Sequence, residues 1–278
     1  MPTYDYDLAV IGSGPAGSMA AVEAGRRGKK VVMIERLKDI GGAGINTGTL
    51  PSKTLRESAL HLSGFSQRGL DGVELGLKRE QITVAEFLSR KQLVIQNEIA
   101  LVTDLLRDVK VEVLHASASF ADAHTLVLDG QRKLSADKIL IATGSRPRRP
   151  EGIPFDDPDV VDSDTILDLE RIPETLTVVG GGVIGSEYAS IFACLGVKVT
   201  LLESNSKLLG FLDEEIRARL EARFRSMGIE LVFDDAVARV IDVPGPGVMV
   251  ETKAGRRFSA GKLLIAAGRS SNIEGLGL

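Results

Sequence analysis

Apolar positions along this chain fall into short runs broken by glycine, and the order of those runs occurs twice. The first, "YDLAVIGSGPAG", is strand-like and ends in Gly12-x-Gly14-x-x-Gly17. A helical segment follows, then a second apolar run, "KVVMIE", that closes on Glu35. The same order returns in "LTVVGGGVIG", with Gly180-x-Gly182-x-x-Gly185, a helical segment, and "VKVTLLE", closing on Glu203. Short continuous apolar runs bounded by glycine read as strands buried on both faces of a sheet. A third piece repeats as well: "LSADKILIATGSR" matches "FSAGKLLIAAGRS", each a buried strand running into Ala-x-Gly, at Thr143-Gly144 and Ala267-Gly268. Strand-like alternation precedes both, over residues 111–128 and 231–250. Each half is therefore expected to be a βαβ unit, a small antiparallel excursion and a returning parallel strand.

The halves differ in length, and the extra residues of the first lie at about 51–108. There Leu88, Ile95, Ile99, Val102 and Leu106 form one helical stripe, expected to pack on the first sheet. The stretch "GSRPRRPEGIPFDDPD" reads as the linker between halves, with Arg146, Arg148 and Arg149 on a solvated loop. After it, "DSDTILDLERIP" reads as a short helix capped by Ser163 or Asp164. The stretch 242–247, with Pro244, Gly245, Pro246 and Gly247, reads as a turn inside the second excursion.

The repeated loop carries a specific chemistry. Its first glycine permits a tight turn, its second lets backbone approach a pyrophosphate, and its third lets helix and strand pack closely. Free N–H groups and the helix dipole then face phosphate. The acid ending the second strand accepts hydrogen bonds from a ribose. One such loop is weak evidence; strand, loop, helix, strand and acid in register, twice, is strong. The expected fold is α/β with two Rossmann-like dinucleotide-binding domains. These would be residues 1–150 with the helical insertion, then 151–270, with 271–278 starting a return to the first.

Composition narrows the field. The 278 residues are 44% hydrophobic and 26% charged, with a net charge of -4. That balance gives no reason to expect nucleic acid or an anionic membrane as partner. No apolar run reaches the roughly 20 residues of a membrane span. The first apolar run is too short for a signal peptide, so the cytoplasm is the expected compartment. The one cysteine, Cys194, sits on an apolar helical pattern and reads as a buried structural thiol. His61, His115 and His124 lack partners at ligand spacing, so no metal site is expected.

Between the first acid and the inserted helix stands "IGGAGINTGTLPSKTLRE". Here the chain resembles the FAD- and NAD(P)-dependent pyridine nucleotide-disulfide oxidoreductases over essentially its whole length. That family includes dihydrolipoamide dehydrogenase, glutathione reductase, mercuric reductase and soluble pyridine nucleotide transhydrogenase. Gly41, Gly42, Pro51, Ser52 and Lys53 match the family's active-site signature, but Gly44 and Thr49 stand where it has its two cysteines. "NTGTLPSKTLRE", "DSDTIL", "GVIGSEYASIF" and "LLGFLDEEI" resemble the transhydrogenase branch most, which commonly carries Thr at the second cysteine position and usually keeps the first.

The resemblance implies that the first domain binds FAD. Gly12, Gly14 and Gly17 would take the pyrophosphate, and Glu35, with Arg36 beside it, the adenosine ribose. Gly41, Gly42 and Gly44 would lie along the cofactor, Ala118 would hold the adenine, and Thr143 and Gly144 would close over the whole. The second domain would bind a nicotinamide nucleotide through Gly180, Gly182, Ile184, Gly185, Glu203 and Gly268. Lys53 matches a lysine near the flavin ring and Glu187 the glutamate paired with it; the plainer alternative is an ordinary surface salt bridge. The resemblance also implies a homodimer. The family continues beyond "GRSSNIEGLGL" through a second FAD-contacting strand and a dimerisation domain, so this stretch alone is expected to hold FAD weakly.

Gly44 and Thr49 remove the dithiol station, because neither hydrogen nor an unactivated hydroxyl replaces a thiolate. Hydride transfer between nicotinamide and flavin needs no protein nucleophile. The leading expectation is therefore a transhydrogenase, turning NADPH and NAD⁺ into NADP⁺ and NADH with Lys53 and Glu187 in catalytic roles. The alternatives are an NADH diaphorase that passes electrons to a quinone or oxygen, and a non-catalytic nucleotide-binding fragment. Glu203 suits the free 2′-hydroxyl of NAD, and the next residues, Ser204, Asn205 and Ser206, bring no arginine for a 2′-phosphate.

Overall fold

A computed structural model describes residues 4–64, 81–243 and 245–278; the side chain of Asp242 is not among what is described. Pro244, part of the expected turn, lies outside the described residues. In chain order the elements begin β1 (Tyr6–Ile11), α1 (Pro15–Arg26), β2 (Val31–Glu35), α2 (Gly42–Asn46), α3 (Thr49–Leu62) and α4 (Val84–Asp108). Next come β3 (Glu112–His115), β4 (Ala118–Asp122), β5 (Thr125–Leu128), β6 (Arg132–Ile141), β7 (Ser145–Pro147) and β8 (Val160–Asp162). A 3-10 turn at Thr165–Asp168 leads to β9 (Thr175–Val179), α5 (Val183–Cys194), β10 (Lys198–Leu202), α6 (Glu214–Ser226) and β11 (Glu230–Val232). The chain ends with β12 (Val237–Asp242), β13 (Val248–Thr252), β14 (Arg257–Ala260), β15 (Lys262–Ile265) and β16 (Arg269–Ser271).

Two compact units result. The first comprises Met1–Pro51, Gln92–Arg146 and Ser270–Leu278; the second comprises Ser52–Lys91 and Pro147–Arg269. The first unit holds a six-stranded sheet in the order β3-β2-β1-β6-β5-β4. Strands β1, β2, β3 and β6 run parallel, with β1 between β2 and β6. The first residues of β6 pair antiparallel with β5, and β5 with β4. One long strand thus serves as edge of the excursion and as return to the parallel sheet. The second unit has a parallel sheet, β11-β10-β9-β15-β8, and a separate antiparallel sheet, β12-β13-β14. Both units follow the expected α/β plan.

The parallel strands read as unbroken apolar runs because both faces are covered. All five residues of β2 are buried, Glu35 included, and so are all four of β15. In the first unit, Ala21 and Val22 of α1 pack with Val10 and Met33 of the sheet, joined by Leu106 of α4. In the second, Val178, Leu201, Tyr188, Ile191 and Phe192 form the centre.

The inserted helix departs from expectation. Ile99, Val102 and Leu106 do pack in the first unit's core. Leu88, however, packs on the second unit's core, where Phe87 is fully buried with its ring 6.2 Å from that of Phe192. A single apolar stripe does not reveal that two different cores share it. The start of this helix is fixed locally: Thr83 and Glu86 form a reciprocal capping box, Thr83 N donating to Glu86 Oε2 at 3.0 Å and Glu86 N to Thr83 Oγ1 at 3.2 Å. The segment after the linker is the expected short helix, of the 3-10 type, over Thr165–Asp168. Asp164 makes no side-chain cap there. Asp162 does the capping instead, its Oδ1 accepting from the N–H groups of Asp164 and Thr165, both at 3.0 Å. Ser163 contributes its carbonyl, which accepts from Tyr188 Oη at 3.2 Å.

Candidate nucleotide-binding site

Each unit builds the same corner. Gly12 has φ of +103°, and a Cβ there would come within 2.4 Å of the Ala142 carbonyl oxygen. Gly180 repeats this with φ of +107° and 2.5 Å to the Ala266 oxygen. The third glycines are stricter still. A Cβ on Gly17 would sit 2.0 Å from the Gly12 oxygen, and one on Gly185 would sit 1.9 Å from the Gly180 oxygen. Only glycine lets each helix start against its strand.

The helix starts are left open. Gly14 and Gly182 are the N-cap residues of α1 and α5, and neither start carries a side-chain cap. Elsewhere the chain does close helix starts: Asp213 accepts from Glu215 N at α6, and Thr83 and Glu86 cap α4. Uncapped first-turn N–H groups at the positive end of the dipole suit an anion such as pyrophosphate. Above Gly182 there is open space: a Cβ on that residue would meet no heavy atom within 4 Å. Gly268, at φ of +95°, is equally open. Ile184 is partly buried against the second unit's core, so its backbone rather than its side chain is what it can offer a ligand.

The two acids lie under these loops. Glu35 Oε2 accepts from Ser13 N at 3.0 Å and Ser13 Oγ at 2.6 Å, and its Oε1 accepts from Leu37 N at 2.9 Å. Glu203 Oε2 accepts from Gly181 N at 2.6 Å, and its Oε1 from Asn205 N at 2.8 Å. Each carboxylate therefore braces its glycine loop, a structural duty that sequence spacing does not reveal. Ser13 belongs to the set that sequence reasoning misses, since its hydroxyl also accepts from Gly41 N at 3.0 Å. Arg36 follows Glu35 and is exposed.

The glycines of the signature stretch have local reasons. Gly41 and Gly42 have φ of +100° and +56°, and a Cβ on Gly42 would lie 2.7 Å from Gly14 Cα. Helix α2 thus begins against the glycine loop backbone to backbone. A Cβ on Gly44 would lie 2.9 Å from Pro15 Cγ, so any larger residue there needs Pro15 to shift. Thr49 starts α3. Ala118 opens β4, half-buried against the apolar cluster of Ala9, Ile34, Leu126 and Leu134. Thr143 and Gly144 follow β6, and both carbonyls are held by Asn272, whose side chain donates to Thr143 O at 2.9 Å and whose N–H donates to Gly144 O at 3.0 Å. Arg146 is not loosely solvated: it grips Glu274 through two parallel bonds of 2.8 and 2.9 Å. That contact holds the Glu274 carboxyl down at about 2.

Lys53 and Glu187 are brought together. Lys53 Nζ donates to Glu187 Oε1 at 3.2 Å, with side-chain exposures of 65% and 23%. A pair this wet adds little to stability, so its charges are available for other work. Cys194 ends α5, partly buried against the core. His115 Nδ1 lies 2.9 Å from Leu37 O and His124 Nδ1 3.1 Å from Ala136 O, both contacts to backbone carbonyls. Among the described residues no group of three or more His, Cys, Asp or Glu is arranged to hold a metal. Among them, too, no helix is long and apolar enough to cross a membrane.

Comparison with known proteins agrees with this geometry. The family model described as pyridine nucleotide-disulphide oxidoreductase matches residues 6–278. The soluble pyridine nucleotide transhydrogenase of Mycobacterium bovis (strain BCG / Pasteur 1173P2) is 41% identical over 279 residues, covering 99% of this chain and 59% of the relative. That of Colwellia psychrerythraea is also 41% identical, over 280 residues with the same coverage. The chain thus spans about three-fifths of the length of these relatives. Among solved structures, the HOCl-induced flavoprotein disulfide reductase RclA from Escherichia coli superposes with a TM-score of 0.81 at 29% identity, over 95% of this chain and 57% of that one.

Proposed function

Because the chain belongs to the pyridine nucleotide-disulphide oxidoreductase family, we propose that it forms the FAD-binding and nicotinamide-nucleotide-binding units of a transhydrogenase. The observation that carries this reading is the doubled corner of open helix start, close-packed glycine and buried acid. Bound FAD would supply a ring that accepts hydride from one nicotinamide and returns it to another. The residues of the first unit fit that group: Gly12, Gly14 and Gly17 leave N–H groups for its pyrophosphate, and Glu35 Oε1 has acceptor capacity left for a ribose hydroxyl. Gly180, Gly182, Gly185, Glu203 and Gly268 do the same for the nicotinamide nucleotide. By the family resemblance, Lys53, paired with Glu187 at 3.2 Å, would supply the positive charge that stabilises a reduced, anionic flavin.

Gly44 and Thr49 exclude a dithiol relay at the signature positions, so a bound flavin would have no thiol station at those positions between it and a second nucleotide. A cytoplasmic homodimer completes the proposal, on the strength of the family resemblance. The test is anaerobic titration of the FAD-loaded full-length protein. NADPH is expected to bleach the flavin band and NAD⁺ to restore it, with ping-pong kinetics. A flavin that stays oxidised under NADPH would end the transhydrogenase reading. If NADH alone reduces it and a quinone reoxidises it, the diaphorase reading takes over, which the acid at Glu203 favours.

A further inference from the structure

We propose that Phe211 is a base-binding residue of the second unit, an aromatic platform on which the adenine ring of the bound dinucleotide stacks. This rests on the reading that the second unit binds a nicotinamide nucleotide, and adds the group that holds its base.

The residues after β10 form a loop that leaves the acid and returns to the glycine turn. It starts on Glu203, whose Oε1 accepts from Asn205 N at 2.8 Å. Leu208 is then fully buried, and Leu209 N donates to Gly181 O at 3.1 Å. Leu212 N closes a turn on Leu209 O at 2.8 Å, with Gly210 and Phe211 at its corner. Asp213 follows at once and caps α6. The turn is therefore anchored on both sides. Phe211 lies at most about 7.6 Å from Leu209, Cα to Cα, and Leu209 touches the glycine loop itself.

Two features of this turn serve no purpose in the core. Phe211 is 73% exposed, and among the described residues its ring meets no other ring and no cation. Leu209 takes φ of +43°, a left-handed conformation that a side chain of this kind rarely adopts, although Gly210 stands next to it without using that region. Strain of this sort persists where the surroundings impose it, and it gathers at ligand clamps. Here it buys the turn that lifts Phe211 out. The outer side is clear as well, since a Cβ on Gly210 would meet no heavy atom within 4 Å. Nor are the exposed apolar side chains of this unit scattered. Among its described residues the large ones are Val183, Phe211 and Ile216. The first is the residue after Gly182, and the other two lie on or just past the loop tied to Gly181.

The position of the loop selects the ligand group. The acid closing the second strand takes the adenosine ribose, and the adenine hangs from that same ribose. A loop that springs from Glu203 and comes back to Gly181 therefore flanks the base, not the nicotinamide. A flat, rigid, neutral ring suits a purine face. It also reads what NADPH and NAD⁺ have in common, so it serves a reaction that uses both.

The experiment uses the chain in saturating FAD, so that added ligand reports the second unit. ADP-ribose is titrated calorimetrically against wild type and Phe211→Ala, Phe211→Leu and Phe211→Tyr. Phe211→Ala should bind about tenfold more weakly, Phe211→Leu nearly as weakly, and Phe211→Tyr like wild type. Because the side chain is exposed, the thermal melts should coincide. If Phe211→Ala does not fold, Phe211→Leu, which keeps the bulk and loses the ring, carries the comparison. The chain has no tryptophan, so Phe211→Trp holds its only indole. Saturating ADP-ribose should quench that emission, and ribose 5-phosphate should not. Unchanged affinity in Phe211→Ala, equal affinity in Phe211→Leu and Phe211→Tyr, or an indole that bound ADP-ribose leaves unquenched each overturns the inference alone. Failure of wild type to bind ADP-ribose overturns the nucleotide-site reading and the inference with it.

Discussion

At the scale of single residues, the glycines do the most that no other residue could. Gly185 is the sharpest case, because a methyl group there would overlap the Gly180 carbonyl. Gly185→Ala is expected to push α5 off its loop, costing about 1–3 kcal/mol as overpacking does. A thermal melt should fall, and the affinity for NADH should fall with it while FAD remains bound. Lys53 makes the opposite kind of contribution. Its ion pair is exposed and worth about 0–1 kcal/mol, so Lys53→Met should leave the melt nearly where it was. Stopped-flow reduction of the flavin by nicotinamide nucleotide should slow by about tenfold, corresponding to ~1.4 kcal/mol of lost charge stabilisation. A lower melt with an unchanged rate would reduce the pair to a surface salt bridge.

At the scale of elements, helix starts divide into closed and open ones. α4 and α6 are closed by side chains; α1, α2 and α5 are not. The capping box at α4 matters because this helix carries Phe87, fully buried, one turn from its start. Thr83→Ala is expected to cost about 0.5–2 kcal/mol, read by chemical denaturation, with nucleotide binding unaffected. The signal Thr83-x-x-Glu86 stands openly in the sequence. The cap at Asp162 does not, because it precedes its turn by a strand end and depends on Arg149 arriving from the linker, at 2.9 Å.

For the molecule as a whole, Asp162 ties the second unit's stability to pH. Burial would raise its carboxyl, but the N–H groups of Thr165 and Asp164 and the Arg149 guanidinium outweigh burial and hold it below the ordinary aspartate value. A folded value below the unfolded one means stabilisation that is present above the unfolded value and lost as pH falls through the folded one. Asp162→Asn should therefore melt lower than wild type near neutrality, and the gap should close in acid. A constant gap from pH 7 to pH 3 would contradict that linkage. At Asp159, too, burial works to raise the carboxyl and is outweighed, here by Lys262 at 2.8 Å and Gly247 N at 2.6 Å; the lowered value adds to the acid sensitivity.

How much of this is legible in the sequence follows from range. Period and glycine placement reveal the two α/β halves, the antiparallel excursions and the two acids, because each depends on residues close in sequence. Lys53 and Glu187 are paired by motif alone, and folding does set them 3.2 Å apart. The division of α4 between two cores, the clasp of Asn272 on Thr143 and Gly144, and the Arg146–Glu274 grip are not legible. Each joins residues that only the completed sheet brings together. The same holds for the acids themselves. Sequence by itself determined that a glutamate ends each second strand; tertiary structure decided that each carboxylate is braced against its glycine loop, and by which donors. The reason is that a hydrogen bond depends on position and direction in space, which strand pairing sets and spacing along the chain does not.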